Sequence, residues 1–163
     1  MRLYHGSNQA VQNPNPAFSK RSRMDFGRGF YTTSSEEQAE RFTNLVFERR
    51  KSIGIKTIST YEFDIEGFKN LNIKNFQGAS EEWFDYVESN RRSSNGLAED
   101  YDVIIGPVAD DNIQQTFIIY EQGIIDKNEA LKRLKSEILK DQFVFKTDKS
   151  ISYLTYINKR EVK

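Results

Sequence analysis

Between Asp25 and Phe42 the chain reads DFGRGFYTTSSEEQAERF, and within that span the backbone preference changes from loop to strand to helix. Gly27 and Gly29 flank Arg28, so the main chain there can bend sharply or approach a ligand with no Cβ in the way. Phe30, Tyr31, Thr32 and Thr33 are aromatic or β-branched, which suits a pleated surface and disfavours a helix. Ser34-x-x-Glu37 then has the spacing of a capping box, predicting a helix that starts at Ser34. Ala39, Phe42, Leu45 and Val46 recur at helical spacing and give that helix one apolar face. Tyr31 and Phe42 thus fall on adjoining elements that can face each other across a slot. Two rings so placed are more often core packing than ligand walls, and they also suit a flat heteroaromatic guest.

The 163 residues suffice for one domain, residues 1–163, with a real core. A chain of that size buries about 70% of the surface it exposes when unfolded. Lys and Arg number 24, and so do Asp and Glu, so no global charge draws the protein to nucleic acid or a membrane. Cysteine is absent, which excludes disulfides, thiol nucleophiles and thiolate metal sites. His5 is the single histidine, which argues against a zinc centre; no metal is expected. The N-terminal residues lack a signal-peptide core, and no apolar run nears the ~20 residues that span a bilayer. The expectation is a soluble, cytoplasmic protein. Gly27-Arg28-Gly29 is too short for a dinucleotide fingerprint, and no Walker loop, Gly-x-Ser-x-Gly elbow or Cys/His dyad occurs.

Arg2 to Ser7 reads as a first strand ending in His5-Gly6-Ser7. Asn8 to Asp25 reads as a long polar loop with Pro14 and Pro16, closing in Lys20, Arg21 and Arg23, a cluster that is either solvated or set to meet a phosphate. Glu48 to Lys51 ends the Ser34 helix, with Gly54 closing it. Thr57 to Asp64 alternates as a strand, and Gly67 to Gly78 stays open between a short strand and an irregular segment. Ser80 caps a helix that buries Trp83, Phe84 and Val87 and ends at Arg91 to Asn95, before Gly96. Tyr101 to Val108 is the most apolar strand and belongs at the centre of a sheet. Asp111-x-x-Gln114 predicts a helix carrying Ile113, Phe117 and Tyr120 inward as far as Gly123. Asp126-x-x-Glu129 opens another, with Leu131, Leu134 and Ile138 on one face. Asp141 to Thr147 reads as a strand, and Ile151, Leu154 and Ile157 as a small terminal element. With no repeat or linker, the expected fold class is α+β.

His5-Gly6-Ser7 followed by Phe26-Gly27-Arg28-Gly29-Phe30-Tyr31 resembles the first two motifs of the ADP-ribosyltransferase superfamily in its His-Tyr-Glu branch, that of the poly(ADP-ribose) polymerases and diphtheria-type toxins. The Tyr31 to Phe42 spacing is similar to that of the two aromatics which sandwich nicotinamide there. Gln142-Phe143-Val144-Phe145 followed by Ser152-Tyr153-Leu154 resembles the strand of the third motif. Gln114 and Gln115 are set aside, because they fall on a predicted helix start. Together with Tyr101 to Asp111, the pattern looks like a bacterial and phage group within that superfamily.

The resemblance implies a split half-barrel of two small sheets with flanking helices, gripping NAD+ as co-substrate. It implies His5, Tyr31 and Gln142 as the catalytic core. His5, Gly6, Ser7, Arg28, Gly29, Tyr31 and Phe42 would bind the cofactor, with His5 on the adenine-side ribose, the Gly6 backbone on the nicotinamide carboxamide, and Tyr31 and Phe42 on the nicotinamide ring. The family's third residue is normally Glu, whose carboxylate supports the ribosyl cation; here Gln142 is neutral. Asp141 is adjacent but should point to the other face of its strand. Asp110 and Asp111 are auxiliary candidates for the missing charge, or else a helix cap and a solvated acid. The implied activity is mono-ADP-ribosyl transfer to a macromolecule, protein or nucleic acid, in a bacterial toxin–antitoxin or phage-defence setting with a cognate antitoxin as partner. Plain NAD+ hydrolysis, a non-catalytic NAD+- or ADP-ribose-binding module, and an interaction domain with a decayed site are the alternatives.

Overall fold

The computed structural model describes residues 1–18, 24–93, 97, 100–108, 111–135 and 140–163, with 111 and 112 described by their backbone alone. Lys20, Arg21, Arg23, Gly96, Asp110 and Ile138, and the side chain of Asp111, lie outside the described residues. In chain order the elements are β1 (Arg2–Ser7), a 3-10 turn (Pro16–Phe18), β2 (Phe30–Thr32), α1 (Glu36–Arg49), β3 (Thr57–Phe63), α2 (Gly67–Asn70) and β4 (Ile73–Asn75). They continue with α3 (Glu81–Arg92), β5 (Val103–Pro107), α4 (Asp111–Glu121), α5 (Lys127–Lys135), β6 (Asp141–Phe145), α6 (Asp148–Ile151) and β7 (Leu154–Glu161).

The fold is α+β, with two open sheets ordered β1-β3-β7 and β2-β6-β5-β4. Every strand pair is antiparallel except β4 with β5. The backbones of the two sheets are joined by a bridge, where Tyr4 N donates to Thr33 O at 2.8 Å and Thr33 N donates to Tyr4 O at 3.0 Å.

Two cores share β6. Val144 points into one, with Phe26, Trp83, Phe84, Ile104, Ile113, Phe117 and Leu134. Phe143 and Phe145 point into the other, with Leu3, Phe30, Tyr61, Phe63, Val103 and Ile105. Side chains alternate along a strand, so Gln142 shares the face of Val144, and Val144 stands opposite Tyr31 on β2. β5 is interior to its sheet and buried throughout, as its apolar sequence requires.

Several local expectations need correcting. Ser35, not Ser34, caps α1, its hydroxyl accepting from Gln38 N at 3.3 Å, because Ser34 is held by Asp141. The buried residues of α1 are Gln38, Ala39 and Thr43, while Phe42, Leu45 and Val46 stay partly exposed. The reason is contact: a Cβ on Gly6 would stand 2.1 Å from Ala39 O, so the helix backbone lies directly against β1. α1 ends at Arg49, and the chain turns out of it at Lys51 and Ser52, both at positive φ, and not at Gly54. Ser52 N donates to Phe47 O at 2.9 Å and closes the last turn before Gly54 is reached.

β3 does not alternate; its first five residues are buried, because it is the middle strand of its sheet with α1 packed on it. The open segment 67–78 resolves into α2 and β4. The loop after β1 is pinned at Val11, whose N donates to Ser59 Oγ at 3.0 Å and whose carbonyl accepts from the Tyr61 hydroxyl. The terminal element is an eight-residue edge strand, β7, paired with β3.

The caps at Ser80 and Asp126 form as expected, accepting from Trp83 N at 3.1 Å and from Glu129 N at 2.8 Å. α4 closes at Gly123, where φ is +72°. Asp102, unremarked in the sequence, pins the far end of the four-stranded sheet. It accepts from Asn72 N at 2.9 Å, Thr147 Oγ1 at 2.7 Å and Lys149 Nζ at 3.3 Å. Burial alone would raise its pKa, but those partners outweigh burial and hold it below the ordinary value.

Candidate functional site

Where the two sheets meet, a narrow cleft of about 40 Å³ opens between β1, α1 and the ends of β2 and β6. His5, Gly6, Tyr31, Phe42 and Gln142 all line it, brought from opposite ends of the chain. β1 supplies the first two, β2 and α1 the aromatics, and β6 the amide. Their placement follows from the Tyr4–Thr33 bridge, which sets β1 beside β2, and from the pairing of β2 with β6.

His5 is held by a hydrogen bond between its Nδ1 and Tyr31 O, 2.7 Å long. A carbonyl only accepts, so Nδ1 carries the proton and, in the neutral ring, Nε2 carries the lone pair. The residue keeps part of its surface, but Nε2 is buried and the ring lies 4.5 Å from that of Phe30. Burial lowers the imidazole pKa from 6.5 to about 4, against the raising effect of the Tyr31 carbonyl, so His5 is neutral at physiological pH.

The Tyr31 hydroxyl donates to Gly27 O at 2.6 Å and accepts from Phe26 N at 3.3 Å. Burial and then the negative charge of Asp25 push its pKa well above the usual value, so the phenol stays protonated. The ring is therefore fixed at both ends, by strand and by turn.

Gln142 is buried, and its Nε2 donates to Pro107 O at 3.0 Å. That bond decides the orientation of the amide, because two carbonyl oxygens would repel. It leaves Oε1 as an acceptor. Glu at this position would set a carboxylate oxygen against the Pro107 carbonyl, so Gln fits the backbone around it.

Asp141, next to it, is occupied elsewhere. Its Oδ1 accepts from Ser34 N at 2.8 Å and Thr33 Oγ1 at 3.1 Å, and Oδ2 accepts from the Ser34 hydroxyl. It fastens the exit of β2 to the start of β6.

Ser7, Arg28 and Gly29, expected to bind the cofactor, do not line the cleft. Ser7 is buried opposite Thr57, its hydroxyl 3.5 Å from Asn8 Oδ1. Arg28 is exposed, and a Cβ on Gly29 would stand 2.5 Å from Val144 Cγ1, so that glycine serves strand packing. Gln114 and Gln115 are exposed on α4, and Ser152 to Leu154 lead into β7 of the other sheet. The cleft also takes in Tyr4, Thr32, Thr33, Gln38, Ala39 and Val108, which sequence reasoning missed. Only the helical period through Ala39 hinted at any of them.

Among the described residues the lining contains no carboxylate, and no group of three or more His, Asp or Glu is placed to hold a metal. Nor is any helix among them long and apolar enough to cross a membrane. The cleft is thus equipped with aromatic walls, a neutral imidazole and a fixed amide, groups suited to a heteroaromatic ring joined to a hydroxylated sugar.

A second, wider cleft of about 600 Å³ runs along β4, β5 and the start of α3, with Lys135, Lys140 and Asn75 on its walls.

No curated protein matches the chain. A family model described as "Protein of unknown function (DUF3990)" matches residues 1–156, which include every residue of the first cleft, and the chain belongs to that family.

Proposed function

We propose that the protein is an NAD+-dependent mono-ADP-ribosyltransferase whose fold is the split half-barrel of that superfamily. The observation that carries this reading is the convergence of His5, Tyr31, Phe42 and Gln142 on one cleft. Nicotinamide lies between Tyr31 and Phe42, the adjoining ribose hydroxyl meets the Gln142 Oε1, and His5 meets the adenine-side ribose. The C1′–N bond breaks with its electrons passing to the pyridinium nitrogen, releasing neutral nicotinamide and leaving oxocarbenium character on the ribose. A nucleophile of the macromolecular acceptor forms the new bond to C1′ and gives its proton to solvent. Holding ring and ribose in fixed, partly dehydrated orientations favours that transition state over the ground state. A cytoplasmic toxin–antitoxin or phage-defence role, with a cognate antitoxin as partner, follows from the family analogy.

The neutrality of Gln142 favours a second reading, a module that binds NAD+ or ADP-ribose without turnover. A missing charged contact to the transition state costs on the order of 2–4 kcal/mol. Hydrolysis to free ADP-ribose is the same chemistry with water as acceptor.

The test is nicotinamide release from NAD+ with and without cell lysate. Release with lysate, lost in Tyr31→Ala, supports the transferase; release without lysate, leaving ADP-ribose, supports hydrolysis. NAD+ binding with no release supports the module, and no binding defeats all three. Gln142→Glu sharpens the result. Its carboxylate would face the Pro107 carbonyl, costing about 1–3 kcal/mol of stability at neutral pH. Its pKa is then raised in the folded state, so the stability is retained at low pH, where the acid form donates to Pro107 O, and lost as pH rises.

A further inference from the structure

We infer that Lys146, with the Asp25–Arg91 ion pair, is a positioning device for Tyr31, acting through the turn that grips its hydroxyl; this rests on the reading of Tyr31 as a wall of the ligand cleft. A strand fixes the direction of a Cα–Cβ bond but leaves the χ angles of the side chain to its surroundings. For Tyr31 those surroundings include Phe26 N and Gly27 O, the two backbone groups bonded to its hydroxyl. Whatever fixes that turn therefore helps fix the ring.

The turn is restrained from three sides. Its own closure is Gly27 N to Met24 O at 3.0 Å, with Gly27 at φ +69°, a conformation other residues adopt only under strain. On one side Lys146 Nζ donates to Phe26 O at 2.7 Å. Lys146 follows directly after β6, and its own N donates to Asp102 O at 2.9 Å, so the ammonium reaches the turn from an anchored backbone. On another side Asp25 Oδ1 accepts from Arg91 Nε of α3 at 2.8 Å, both side chains being only 14–16% exposed. The Arg91 guanidinium carbon lies 4.4 Å from the centroid of the Phe117 ring, which holds the cation over the core. On the third side the Phe26 ring is fully buried in that core.

No member of this set lines the cleft. Lys146 is nonetheless joined to it twice: by β6, which carries Gln142 four residues earlier, and by the turn that holds Tyr31. One strand thus sets both the amide and, through the lysine at its end, the aromatic wall.

The experiment compares wild type, Lys146→Met, Tyr31→Phe and the double variant, with NAD+ affinity by calorimetry and the Tyr31 ring signals by NMR on ring-labelled protein. Arg91→Ala serves as a second variant should Lys146→Met fail to fold. Lys146→Met is expected to weaken NAD+ binding about tenfold, as loss of a hydrogen bond from a charged donor does. In the Tyr31→Phe background it is expected to do almost nothing, because no hydroxyl remains for the turn to hold. The Tyr31 ring signals, identified by their loss in Tyr31→Phe, are expected to shift in Lys146→Met without added ligand. Equal losses in both backgrounds mean general destabilisation and overturn the inference. Unmoved ring signals overturn it whatever NAD+ does. Moved ring signals in a protein that does not bind NAD+ uphold the brace on the ring and refute the NAD+ reading instead.

Discussion

One cleft at the end of the four-stranded sheet is lined by His5, Tyr31, Phe42 and Gln142, and the other, along β4 and β5, by Lys135, Lys140 and the first residues of α3. In the first, three polar side chains each have a hydrogen bond committed to the backbone: His5 Nδ1 to Tyr31 O, Tyr31 Oη to Gly27 O, Gln142 Nε2 to Pro107 O. What remains of each group is aimed before any guest arrives. In the second, Lys135 and Lys140 are exposed and meet no carboxylate among the described residues. The acids there are engaged elsewhere, Glu81 with Lys127 and Asp141 with Thr33 and Ser34. Exposed ammonium groups on flexible stems supply charge without direction. Groups ordered in advance suit a cleft to discriminate by shape, whereas mobile ammonium groups suit it to discriminate at most by charge.

The comparison is broken most severely at Gly6, where α1 lies against β1. Gly6→Ala puts a Cβ 2.1 Å from a backbone oxygen that cannot rotate away. The expected loss is about 3 kcal/mol, read as a lower denaturation midpoint, together with a widened first cleft and weaker NAD+ binding. An unchanged midpoint would mean that the helix does not sit where described.

An effect of comparable size, confined to acid pH, follows from the buried imidazole. His5 has a folded-state pKa of about 4 against 6.5 unfolded, so between those values the unfolded chain binds more protons than the folded one. Stability attributable to His5 is therefore complete above pH 6.5 and falls as the pH drops toward 4. Thermal unfolding from pH 7 to pH 4 is expected to show this slope in wild type and to lose it in His5→Gln; identical slopes would place His5 in solvent.

The smallest effect belongs to the second cleft. Lys135→Ala with Lys140→Ala is expected to leave the midpoint within about 0.5 kcal/mol and NAD+ affinity within about twofold. A tenfold loss of NAD+ binding would merge the two clefts into one site.

What the sequence made legible was chemistry at element ends. His5-Gly6 before a loop, Tyr31 after a Gly-x-Gly turn and Gln142 opening a strand were each weak signals alone and recognisable only in combination, and all three line the cleft. What stayed hidden was pairing across the chain. Asp141 meets Ser34, 107 residues earlier, and nothing local in either stretch announces it. That long-range bond is also why the helix cap moved from Ser34 to Ser35. Thr33, Gln38 and Val108 line the cleft only because the Tyr4–Thr33 bridge joins two sheets whose order no short pattern encodes. β7 looked slight because, as an edge strand, it is covered on one face for only part of its length and shows little alternation after Ile157. The left-handed Lys51 and Ser52 closed a helix where glycine was expected, since Schellman closure depends on the hydrogen bond to Phe47 O as well as on residue type.

The most direct test of the account is calorimetric titration of NAD+ into the wild-type protein and into Tyr31→Ala. The account predicts binding to wild type and a loss on the order of thirtyfold or more in the variant, as for removal of a buried aromatic anchor. Equal affinity in the two proteins, or no binding to wild type, would contradict it.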